Sequence, residues 1–178
     1  MKITCILLMF AFLQSAHGQD YCKMIKKEVS PDNTIFDFSS PFDPTEVPVV
    51  RVTRNYVISD DNPSDNFFMI FQITGSLDNI YKKMPDGSQA EKEEQKLMVQ
   101  FEDKSTIVDD TIQVSHDFTG DRSQAIRYVF YPLNETTLND FSTKKITKFS
   151  LAGYEQSVGA DSANAIMHYV QCIKAAKK

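Results

Sequence analysis

The chain has no tryptophan, and only six glycines, three cysteines and three histidines among its 178 residues. Each scarcity excludes something. The lack of tryptophan weakens both a lipocalin-type barrel and a sugar-stacking platform. There is no Gly-rich loop to cradle a phosphate and no Gly-x-Ser-x-Gly elbow to present a nucleophilic serine. Cysteine and histidine are too few and too scattered for a zinc site. No basic block occurs and the formal net charge is -5, which argues against nucleic acid and anionic membrane surfaces as partners. Past the N-terminal run no apolar stretch reaches spanning length, so no integral membrane segment is expected. With 42% hydrophobic and 24% charged residues, the composition suits one folded domain rather than a disordered chain.

What is present begins at the N-terminus. Lys2, the apolar run Ile3–Leu13 and the small residues of Ala16-His17-Gly18 have the layout of a secretory signal peptide. The reading is a signal over residues 1–18 and a single β-rich globular domain over 19–178, secreted or periplasmic. Cys22 follows Gln19-Asp20-Tyr21, without the pattern that a lipid anchor needs. Cys5 leaves with the signal, so the mature chain keeps Cys22 and Cys172. In an oxidising compartment two lone cysteines on terminal segments are expected to form a structural disulfide. The competing reading, a reactive thiol, lacks a histidine close in sequence.

Apolar spacing organises the rest. Tyr21, Cys22, Ile25 and Val29 fall at helical intervals and predict a short N-terminal helix or turn ending at Ser30-Pro31-Asp32-Asn33. Strands are expected over Thr34–Ser39, Val49–Ser59 and Asn66–Leu77. In the second, Val50, Val52, Tyr56 and Ile58 share a face that Arg54 interrupts, and Arg51, Thr53 and Asn55 share a wet one. In the third, Phe67–Phe71 is apolar at every position, which predicts a central strand covered on both faces. Lys82–Lys96 reads as a solvated hairpin insertion. Further strands are expected at Leu97–Phe101, Thr106–Val108, Thr111–Val114, Ala125–Tyr131 (ended by Pro132) and Ile146–Gln156. Asn134–Phe141 predicts a capped short helix, and Asp161-Ser162 is expected to cap a last helix with an Ala163, Ile166, Met167, Val170, Ile173 stripe. No crossover helices separate the strands. The expected fold is therefore α+β: mainly an antiparallel sheet or sandwich of about 7–8 strands, with a short N-terminal helix and a C-terminal helix packed on the sheet.

The residues that could carry chemistry each have a plainer reading. His116-Asp117 could serve a hydrolase of unfamiliar type, but neighbours along a strand point to opposite faces. His168 reads as a surface residue of the last helix. Asp60, Asp61, Asp65, Asp109 and Asp110 could hold calcium, yet neither cluster has EF-hand spacing and aspartates also build turns. Phe68, Tyr128 and Tyr131, among other aromatics, are candidates to line a ligand site, with simple core as the alternative. Asn134-Glu135-Thr136 is an N-glycosylation sequon. No cofactor, metal or catalytic residue is assigned.

The run Phe36-x-Phe38-Ser39-Ser40-Pro41-Phe42, the segment Ile107-Val108-Asp109-Asp110 and the ending Ile146–Phe149, Ile166, Cys172-Ile173 resemble small secreted β-rich proteins of Bacteroidetes-type bacteria. The resemblance spans most of the mature chain and implies location and fold, with no catalytic signature. It would leave the Asn134 sequon idle and make Thr111 and Ser162 similar to O-glycosylation acceptors of such bacteria. The functional expectation is a secreted or periplasmic non-enzymatic binding module for a protein, a glycan or a small hydrophobic ligand. The alternatives are a carrier of a small hydrophobic ligand in a β-lined cavity, or a hydrolase using His116.

Overall fold

A computed structural model describes residues 21–41, 49–59, 62–76, 82–83, 89–90, 96–120 and 123–177. The expected signal peptide, Asp60, Asp61 and most of the 82–96 insertion lie outside the described residues. Strands β1 (Lys26–Val29), β2 (Ile35–Ser39), β3 (Val49–Val57) and β4 (Ser64–Ser76) form successive antiparallel neighbours. Strand β4 then pairs with β10 (Gln124–Leu133), and β10 with β9 (Ser115–Phe118), completing a six-stranded sheet. A second sheet holds β7 (Leu97–Phe101), β8 (Thr106–Asp109), β11 (Ile146–Leu151) and β12 (Tyr154–Ser157), in the order β12-β11-β7-β8. The short pieces β5 (Lys82–Lys83) and β6 (Gln89–Ala90) pair with each other, as the hairpin reading expects.

The sheets face each other across a dry interior. Parity places Val52 of β3, Met69, Phe71 and Ile73 of β4 and Val129 of β10 on the inner face of the large sheet, all buried. Leu97, Val99, Phe101, Ile146, Phe149 and Leu151 answer them from the small sheet. The Phe71 ring lies 5.1 Å from that of Phe149 and 6.2 Å from that of Phe141.

Two helices close this interior. Helix α1 (Glu135–Thr143) starts at Asn134, whose side chain accepts from the Thr137 amide while the Thr137 hydroxyl accepts from the Asn134 amide. That reciprocal box satisfies two amides the helix cannot pair itself. Helix α2 (Ala160–Ala175) buries Ala163, Ile166, Val170 and Ile173 against β3, β11 and α1. Its last turn is held by Arg54, itself 5% exposed. The guanidinium donates from Nη1 to the Ile173 carbonyl at 3.2 Å and the Ala176 carbonyl at 2.9 Å. Its Nε and Nη2 each reach a separate Asp65 oxygen at 2.7 Å. The residue that interrupts an apolar strand face is thus the cap of the final helix.

Cys22 and Cys172 are joined, with Cα atoms 5.2 Å apart, tying the start of the domain to α2. Around the bridge the Tyr21 ring stacks on His168 at 4.9 Å and meets Tyr169 edge-on at 5.5 Å.

Several expectations are corrected. Among the described N-terminal residues only 21–23 are helical, because Lys26–Val29 pairs with β2 instead. Ile112 and Val114 are buried but lie in irregular chain, and the strand begins at Ser115. Strand β10 continues through Pro132 to Leu133; β9 covers only Ala125–Tyr128, so the missing amide sits on an open edge. Ile146–Gln156 is a hairpin, turned at Ala152 and Gly153, whose φ angles are 53° and 82°. Gly159, not Asp161 or Ser162, is the N-cap of α2, and no side chain bonds there.

Candidate functional site

Both helices and the second sheet lie on the inner side of the six-stranded sheet, the side of Arg54 and Phe71. The outer side is set by register alone. Lys26 pairs with Ser39, Ser39 with Thr53, Thr53 with Phe68 and Phe68 with Pro132, so these five share one row across the outer face. The next row runs Arg51, Ile70, Phe130, and the one after it Gln72, Tyr128. The result is a face of two halves.

One half is polar. Lys26, Glu28, Asp37, Ser39, Ser40, Arg51, Thr53 and Asn55 line a groove of about 620 Å³ across β1–β3. Its charges are largely matched: Lys26 pairs with Glu28, and Asn55 donates to Asp37 at 2.6 Å. The Lys26 hydrogen bond holds the Glu28 carboxyl below its ordinary pKa. Arg51 donates to the Ser40 carbonyl at 3.4 Å, and burial lowers its pKa while leaving it charged at neutral pH.

The other half is apolar. Phe130 stands 57% exposed, and Phe68, Ile70 and Tyr128 around it are half-buried. The Tyr128 ring meets Phe130 edge-on at 6.0 Å. Here the expectation of β4 covered on both faces meets a difference: Met69, Phe71 and Ile73 are sealed, whereas Phe68 and Ile70 keep part of their surface. Five consecutive apolar residues therefore serve two purposes, core on one side and a surface patch on the other.

Of the aromatic candidates, Phe68 and Tyr128 share this face. Tyr131 does not: it points inward, 7% exposed, and burial with the nearby Asp109 charge pushes its hydroxyl pKa up. Arg51 and Ile70 were missed as members of the face. Their signal was available, since the wet side of β3 and the even-numbered side of β4 had only to be put in register.

His116 lies directly opposite Arg127 on the inner side of β9 and β10, while Asp117 faces outward and accepts from the Phe118 amide. The pair His116-Asp117 is thus split across the sheet. Asp109 accepts from the Thr111 amide and hydroxyl at 2.8 Å each, an Asx-type turn, and Asp65 is committed to Arg54. Among the described residues no group of three acidic, histidine or cysteine side chains could hold a metal. Asn134 of the sequon and Ser162 on the first turn of α2 are both exposed. A second cavity, about 330 Å³, opens beside the disulfide between Ile25, Lys27, Phe38, Ala175 and Ala176. Among the described residues no helix is long and apolar enough to cross a membrane.

No family model, no curated protein and no solved structure matches this chain.

Proposed function

We propose that this is a secreted or periplasmic binding module that holds a protein partner on the outer face of its six-stranded sheet. The observation that carries the reading is Phe130, 57% exposed at the centre of a patch made by Phe68, Ile70 and Tyr128. A soluble fold gains nothing from leaving such a ring in water, and contiguous exposed apolar surface marks an interaction site. The patch combines phenylalanine, tyrosine and an adjoining arginine, Arg51, the types that dominate the energetic centres of protein interfaces. The polar groove beside it supplies hydrogen-bonding groups for the rim. The Cys22–Cys172 bridge and the signal-like N-terminus support an oxidising compartment.

The carrier reading needs an enclosed apolar space. Between the sheets, Phe71, Phe101, Phe141 and Phe149 fill the interior at 1% exposure or less, and both cavities described above open at the surface.

The test is chemical cross-linking in material from the native source, comparing the parent with Phe130→Asp. The substitution is expected to leave the fold intact and abolish the cross-linked adducts that map to Phe68–Gln72 and Tyr128–Pro132. Identical adducts from a folded Phe130→Asp variant would reject the face. Native mass spectrometry of the same material distinguishes the alternatives: a small retained mass that survives the substitution speaks for a carrier.

A further inference from the structure

Among the described residues two arginines are buried on the inner side of the large sheet, and their surroundings differ. Arg54, 5% exposed, makes four hydrogen bonds to a carboxylate and two helix carbonyls. Arg127, 6% exposed, has its guanidinium carbon 4.2 Å above the Tyr154 ring. Its Nε is sealed from solvent and bonded to nothing, and among the described residues no carboxylate pairs with it.

Arginine carries a full positive charge, so among the described residues this is a buried cation without an anion. Removing it from water is costly, and stacking on one aromatic ring offsets that only in part. Arginines in that position are ordinarily paired. This one lies close to the edges of both sheets. Arg127 sits one strand in from the edge strand β9 and faces Tyr154 on β12, the edge strand of the second sheet.

We infer that Arg127, backed by Tyr154, is a binding site for a small oxyanion, a carboxylate or a phosphate. Because Nε is sealed, the anion meets the outer end of the fork and takes its two Nη groups end-on, the parallel pairing that suits both oxyanions. The Tyr154 ring fixes the guanidinium plane beforehand, so little side-chain freedom is lost on binding. This site lies on the opposite side of the sheet from Phe130, and the two stand or fall separately.

The test is a side-chain and backbone NMR titration of the disulfide-intact protein with acetate, with inorganic phosphate, and with chloride as the ionic-strength control. Acetate, phosphate or both are expected to shift the Arg127 Nε–H signal and the amides of Tyr154 and β9 saturably, beyond chloride. The anion that saturates first identifies the chemistry. In Arg127→Lys, which keeps the charge but loses the fork, binding is expected to weaken about tenfold or more. Shifts no larger than those from chloride would overturn the proposal, as would equal saturation in a folded Arg127→Lys. If that variant does not fold, the parent titration decides: saturable shifts that map away from Arg127, Tyr154 and β9 also overturn it.

Discussion

Replacing Arg54 by methionine tests whether one cation fastens the last helix to the sheet. The arginine side chain is 6% exposed and its partner Asp65 36%. Methionine keeps much of the stem volume, so the loss is mainly of hydrogen bonds. The two contacts to the Ile173 and Ala176 carbonyls contribute about 1 kcal/mol each; without them Ile173 keeps only the bond from the Ala176 amide. The fork on Asp65 contributes roughly 1–2 kcal/mol after discounting for the water that the half-open carboxylate regains. Stacking of the guanidinium over the Phe67 ring, 4.9 Å away, adds about 1 kcal/mol. The expected loss is about 4–5 kcal/mol, which for a domain of this size lowers Tm by about 10–15 °C. Urea unfolding followed by far-UV circular dichroism, with the disulfide intact, measures it. Asp65→Asn alone is expected to cost about 2 kcal/mol, and clearly less once Arg54 is already methionine. A loss below about 1 kcal/mol for Arg54→Met, or strict additivity of the two substitutions, would refute the argument.

Phe71→Ala removes a ring that touches Phe141 and Phe149 at the centre of the sandwich, and is expected to cost about 3–5 kcal/mol by urea denaturation. Reducing the Cys22–Cys172 bridge, which spans 150 residues, is expected to lower stability by at most about 5 kcal/mol, read as a shift in urea midpoint with and without reductant. Hydrogen bonds from Ser105 lower the Asp103 pKa, so its stabilisation is complete above the unfolded-state value and vanishes as pH falls through the depressed native one. Bonds to Asp140 and then Asp103 raise the Lys144 pKa, so that contribution is full below the unfolded lysine value and disappears as pH rises through the raised one. Asp103→Asn should flatten the acid limb of a stability–pH profile, and an unchanged limb would count against this assignment.

Alternation along the strands carried most of the architecture. Leu97, Val99 and Phe101 read as a half-buried strand and are one, and the Ala163–Ile173 stripe lies where the helix meets the core. Failures cluster where local pattern competes with pairing. Tyr21, Cys22, Ile25 and Val29 fit a helix, but Lys26–Val29 gains ladder bonds to β2 that a short isolated helix cannot match. Ala152 takes a left-handed turn position with φ 53°, and alanine gives no warning of it, so the β11–β12 hairpin looked like one strand. Ile112 and Val114 alternate like a strand because burial, not pairing, selected them. The outer face was legible only in pieces: Arg51, Ile70 and Phe130 meet through a register that links residues far apart in sequence. Arg127 could have been flagged as a charge at an inward position of Ala125–Tyr131, but that no carboxylate among the described residues pairs with it is visible only in three dimensions.

The Arg54 cap also sets an order of events during synthesis. Asp65 lies 11 positions downstream and emerges almost with the arginine, whereas the two carbonyls follow 119 and 122 positions later. A ribosome adding about 5–20 residues per second leaves the nascent β3–β4 pair holding a half-satisfied cation for many seconds. The large sheet can assemble in that interval, but the part of its inner face that α2 covers, at β3, waits open until the helix arrives. Such a long-range closure is slow by its topology, and the nascent chain is most in need of a chaperone just before the helix docks.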